Sequence, residues 1–113
     1  MEYTLYGIPN CDTVKKARKF LGGLGIDYEF VDFKKVEPKK NWIKNWESFL
    51  GELPVNKRGT TFRKLKEEFE KGTKTQQISL LQTNSSSIKR PILEKSSKVL
   101  AIGFNETDWS EFL

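Results

Sequence analysis

The sequence has no histidine and a single cysteine, Cys11, in 113 residues. Without histidine, imidazole acid–base catalysis and His-containing zinc sites are excluded. One cysteine cannot close an internal disulfide or build an iron–sulfur or cysteine-rich zinc site, so neither a metal nor a bound cofactor is expected. Long apolar runs are also missing, and none approaches the ~20 residues of a membrane span. The opening Met-Glu-Tyr-Thr-Leu lacks the basic-then-apolar pattern of a secretory signal. With no disulfide framework and no membrane segment, the expected location is cytoplasmic. No internal repeat, low-complexity tract or dividing linker interrupts the chain, so residues 1–113 read as one domain.

What is present suits a globular fold. Hydrophobic residues make up 36% and aromatics 12%, enough to bury a core at this length without staples. The net charge of +5 fits solubility or an anionic partner. The lysines are dispersed and mostly beside acids, which argues against direct nucleic-acid binding.

Residues 2–6 are short and β-prone and predict a first strand, followed by a turn over 7–10. From Asp12, Val14, Ala17 and Leu21 fall at helical spacing with lysines on the other face, and Gly22, Gly23 and Gly25 end the helix. Residues 27–33 alternate as a second strand, and together these pieces make a parallel βαβ unit. A helix starting near Pro38 presents Trp42, Trp46, Phe49 and Leu50 as its apolar face. A second carries Phe62, Leu65 and Phe69, with Thr60 or Thr61 as its N-cap, and a third, over 75–82, carries Ile78, Leu80 and Leu81. Residues 84–87 read as a polar connector, 91–94 and 98–102 as a strand hairpin, and 106–113 as a last helix capped by Asn105 and packed through Trp109 with Phe112 or Leu113. The order predicts an α/β, thioredoxin-like fold: a mixed four-stranded sheet with a helical subdomain inserted over roughly residues 36–84.

In this scheme Cys11 lies at the start of the first helix. Free backbone N–H groups and the helix dipole stabilise an anion there, which favours the reactive thiolate. Lys15 and Lys16 add positive field within one turn, Asp12 opposes it, and Asn10 and Thr13 are candidate hydrogen-bond donors to sulfur. The alternative is a small apolar cysteine filling a gap. Position 14 is Val, so no Cys-x-x-Cys exists and a one-molecule dithiol cycle is impossible. Redox turnover would need an external thiol, such as glutathione or a partner protein.

Arg90-Pro91 precedes the third strand. Proline permits a cis bond there, and Arg90 can direct a fixed positive charge at a thiolate or oxyanion. The bland reading is a surface arginine before an edge strand. In "NKRGTTFRKL", Lys57, Arg58 and Arg63 make either an anion-binding loop or merely a solvated helix start.

"YGIPNCDTVKKARKFL", "NKRGTTFRKL", "IKRPIL" and "VLAIGFNETDWSEFL", in that order and covering essentially the whole chain, resemble the arsenate reductase (ArsC) family. The Asn-Cys-Asp-Thr-x-Lys-Lys-Ala segment is most similar to its YffB-like branch. That branch implies glutathione-dependent thiol reduction, with Cys11 as nucleophile and Asn10, Thr13, Lys15, Arg58, Arg90 and Pro91 around the substrate thiol. The resemblance extends to the Spx and MgsR regulators, a sister branch that implies RNA polymerase as an alternative partner. In the arsenate reductases three arginines hold the oxyanion. Arg90 matches one, Asn56 stands at another with Arg58 two residues on, and the third falls near Gly103, which implies at most weak arsenate reduction.

Overall fold

Strand β1 (Tyr3–Gly7) runs straight into the turn that precedes helix α1 (Asp12–Gly23), in a computed structural model that describes residues 1–113. Strand β2 (Tyr28–Asp32) returns parallel to β1, in register from Tyr3 opposite Tyr28 to Gly7 opposite Asp32. Helices α2 (Lys40–Leu50), α3 (Thr60–Lys71) and α4 (Lys74–Thr83) follow. Strands β3 (Ile92–Lys95) and β4 (Lys98–Ile102) and helix α5 (Glu106–Phe112) complete the chain. The sheet order is β2-β1-β3-β4, with β1–β3 and β3–β4 antiparallel. This is the mixed four-stranded α/β sheet expected from the element order.

The fold divides into two compact units. The first comprises Met1–Lys35 and Arg90–Leu113, and the second Val36–Lys89. In the first unit, Leu5 and Leu93 face each other across β1 and β3 and pack with Ala17, Leu21 and Trp109, all essentially inaccessible to water. This follows from the period-2 alternation of the strands meeting the Val14-Ala17-Leu21 stripe of α1. On the opposite strand face Tyr6 pairs with Ile92, and the buried Glu94 accepts a hydrogen bond of 3.1 Å from the Tyr6 hydroxyl. Burial, then the nearby Glu94 charge and its hydrogen bond, push the Tyr6 phenol far above its ordinary range, so it stays a donor. The hairpin turns through Ser96 and Ser97, both at positive φ (50° and 67°). That is the backbone of a two-residue type I′ loop between the paired Lys95 and Lys98. Asn105 caps α5 as expected, its side chain accepting from the Asp108 N–H at 3.1 Å. Trp109 packs inward as expected, joined by the partly buried Leu113 rather than by the exposed Phe112.

In the second unit, the expected face of α2 is corrected. Ile43 and Trp46 are fully buried, Trp42 is half-buried and Phe49 is 50% exposed. The apolar residues of α2 span a wide arc centred on Trp46, and packing selects its Ile43 edge, leaving Phe49 on the open one. The N-cap of α3 is Gly59 rather than a threonine, because the Thr61 hydroxyl is engaged with the Ser86 hydroxyl at 2.7 Å. Phe62 and Phe69 are buried edge-to-face at 5.4 Å. A capping box starts α4. The Thr73 side chain accepts from the Gln76 N–H, and the Gln76 side chain accepts from the Thr73 N–H at 2.8 Å. Glu47 and Lys74 form an ion pair linking α2 to α4. The segment expected as a polar connector forms a 3-10 turn over Ser85–Ser87, with Ser87 buried. It is tied back by Asn56 N–H to the Ser87 carbonyl (2.7 Å) and by a Val55–Ile88 bridge.

Candidate functional site around Cys11

The geometry begins with Gly7. A Cβ there would lie 2.8 Å from Val14 Cγ2, so only glycine lets the end of β1 approach α1 this closely. Ile8, Pro9 and Asn10 then turn the chain, closed by the Cys11 N–H on the Ile8 carbonyl at 3.2 Å. Pro9 suits this turn because its ring fixes φ near the value required at the second position. The turn delivers Cys11 as the N-cap residue of α1, in extended conformation, with its carbonyl accepting from the Lys15 N–H at 2.9 Å.

Cys11 is partly exposed and is the one free thiol. Burial pushes its pKa up, but this is outweighed by the Val14 N–H, the Arg90 side chain as hydrogen-bond donor, the Thr13 N–H and the Arg90 charge. The thiol therefore titrates below its ordinary value. No conventional side-chain capping bond forms.

Arg90, half-buried, supplies the positive charge from the other chain segment of the same unit. The Arg90–Pro91 peptide is cis, Pro91 is buried, and its carbonyl accepts from the Gly103 N–H at 2.7 Å. Gly103 has φ +88°, which a side chain would strain.

The structure thus brings Cys11, Thr13 and Arg90 together. Thr13 acts through its backbone N–H, and Asn10 is exposed. Lys15 is exposed as well, and the groups that lower the thiol are Val14, Arg90 and Thr13. Arg58 belongs to the other unit, exposed in the turn ahead of α3. Val14 was read from sequence only as core and as the missing second cysteine. Its amide role is a property of the third position after any N-cap, where an orphan N–H points back at the capping side chain. No group of three His, Cys, Asp or Glu residues is placed to hold a metal ion. No helix is long and apolar enough to cross a membrane.

A profile of the ArsC family matches residues 6–112. An uncharacterised protein of Haemophilus influenzae is 42% identical, over 94% of this chain and 94% of its own. The solved structure of a YffB protein is 35% identical over 96% of each chain, with a TM-score of 0.83. The global transcriptional regulator Spx of Listeria innocua is 30% identical, over 97% of this chain and 86% of its own. A cysteine at a helix start, an arginine beside it and the β2-β1-β3-β4 sheet therefore sit in a known frame, and the chain belongs to the ArsC family, with its thioredoxin-like fold.

Proposed function

We propose that the protein is a monothiol reductase of the YffB type, with Cys11 as nucleophile and glutathione as co-substrate. The observation that carries this is the sole thiol at a helix start, lowered below its ordinary pKa by two backbone amides and Arg90. The Cys11 thiolate attacks a disulfide R–S–S–R′, forming Cys11–S–S–R and expelling R′S⁻. A glutathione thiolate then attacks the mixed disulfide at its R sulfur, forming R–S–S–glutathione and returning the Cys11 thiolate. Each attack exchanges one S–S bond for another, and the electrons come from glutathione. With no second cysteine in the chain, release by an external thiol is the available route. Arg90 stabilises both the resting thiolate and the leaving one. The exposed Asn10, Thr13 and Lys15 offer polar contacts to the incoming thiol, beside the Arg90–Pro91 backbone. Only one of three arginine positions of the arsenate reductases is matched outright, by Arg90, which favours a thiol substrate over arsenate. The test is glutathione-coupled reduction of a small mixed disulfide. Cys11→Ser should fall to the uncatalysed rate, and full activity in that variant would remove the mechanism.

A second reading rests on the similarity to Spx. In it the chain acts as a regulator that contacts RNA polymerase without a dithiol switch, since Val14 stands where such a switch needs cysteine. An affinity capture of purified polymerase subunits that returns none of them would sink it.

A further inference from the structure

We infer that Trp109 is a positioning residue for Arg90, acting through Gly103 and Pro91. The indole Nε1–H donates to the Gly103 carbonyl at 3.1 Å, and the Gly103 N–H donates to the Pro91 carbonyl at 2.7 Å. Pro91 is bonded directly to Arg90, whose side chain and charge lower the Cys11 thiol. Four links therefore run from the middle of α5 to the thiol, two of them hydrogen bonds and one a peptide bond. Gly103 lies one residue beyond β4, its N–H still bonded across to Pro91 and its carbonyl held by the indole. Trp109 is itself only 1% exposed and is held by Phe104 at 4.8 Å and Phe20 at 6.5 Å between ring centroids, both edge-on. A tryptophan here does two jobs that a phenylalanine would split: it fills the core and it anchors the strand end.

This rests on the reading that Cys11 and Arg90 form the reactive pair, but its test needs no turnover. The readout is the pH midpoint of Cys11 alkylation, which no other thiol obscures. Trp109→Phe removes the donor and keeps an aromatic ring. A second variant carrying 3-benzothienylalanine at position 109 keeps the ring shape and loses only the N–H, which covers the case in which the phenylalanine variant fails to fold. Both should raise the midpoint by about half a pH unit, roughly a threefold loss of thiolate below the midpoint. In an Arg90→Ala background neither should move it further, because the effect passes through Arg90. Phe104→Leu, which loosens the same packing without touching the N–H, should lower stability and leave the midpoint in place. An unmoved midpoint in the position-109 variants, or an equal rise with and without Arg90, overturns the inference while leaving the reductase reading intact. A parent midpoint equal to that of the unfolded chain overturns both.

Discussion

Substituting Gly7 by alanine tests how tightly the first strand is coupled to the helix that begins at Cys11. The added Cβ would sit 2.8 Å from Val14 Cγ2 and 3.3 Å from Cγ1, but 3.7 Å from Val14 Cβ. The first distance is not sustainable, so α1 must move outward, at a cost of about 1–3 kcal/mol for overpacking a filled core. Val14→Ala alone removes fully buried methyl groups and costs about 1.5–3 kcal/mol. Combined, the two substitutions leave a Cβ–Cβ contact at the ordinary 3.7 Å, with the new methyl occupying part of the vacated space. The double variant should therefore be more stable than the sum of the singles by about 1 kcal/mol or more. Urea unfolding of the four proteins measures this directly. Because the Val14 N–H is one of the groups acting on the thiol, Gly7→Ala should also raise the alkylation midpoint of Cys11. Additivity within about 0.5 kcal/mol, with an unchanged midpoint, would refute the claim that this approach sets the site.

Other expectations follow from single features. Cys11 should alkylate with a midpoint below that in urea, near 8.5. Since the folded thiol is the more acidic, its stabilising contribution is fully present above about pH 8.5 and is lost as pH falls through the folded midpoint. The stability advantage of the parent over Cys11→Ser should accordingly grow across that window, and a flat difference would contradict the lowered pKa. Asn105→Ala removes the cap of α5 and should cost about 1 kcal/mol in chemical unfolding. Replacing Ser96-Ser97 by Asn-Gly matches the positive φ angles of the hairpin and should stabilise by about 0.5–1 kcal/mol. A loss on that exchange would mean the serine side chains outweigh the backbone preference.

The sheet and the first helix were legible because their patterns are strict. Leu5 alternates with Tyr6, Val14-Ala17-Leu21 repeats at helical spacing, and glycines punctuate the ends. The position of Cys11 followed from those boundaries alone. Failures came where several solutions satisfy the same pattern. On α2 five apolar residues span one arc, and only neighbours decide that Ile43 goes inward and Phe49 stays out. The cap of α3 was misjudged because Thr61 had a better partner in Ser86, a pairing no local signal announces. At the site, a helix start announces free backbone N–H groups in general; that those of Thr13 and Val14 act on the sulfur is set by the folded backbone and not by residue type.

The first unit is built from two stretches of chain, Met1–Lys35 and Arg90–Leu113, with the second unit spliced between them. As the chain leaves the ribosome, Cys11 and its turn emerge early, and the arginine that completes the thiolate site comes only after the inserted helices. The α1 amides can act on the sulfur as soon as the helix forms, whereas the Arg90 contribution must wait for β3 to pair with β1. The full lowering of the Cys11 pKa is thus deferred until β3 has paired with β1. A nascent or half-folded copy would carry a comparatively quiet thiol, less prone to stray disulfides, and alkylation rate becomes a clock for closure of the sheet. Pulsed alkylation during refolding should show Cys11 reactivity near neutral pH rising last, together with protection of the β1–β3 amides.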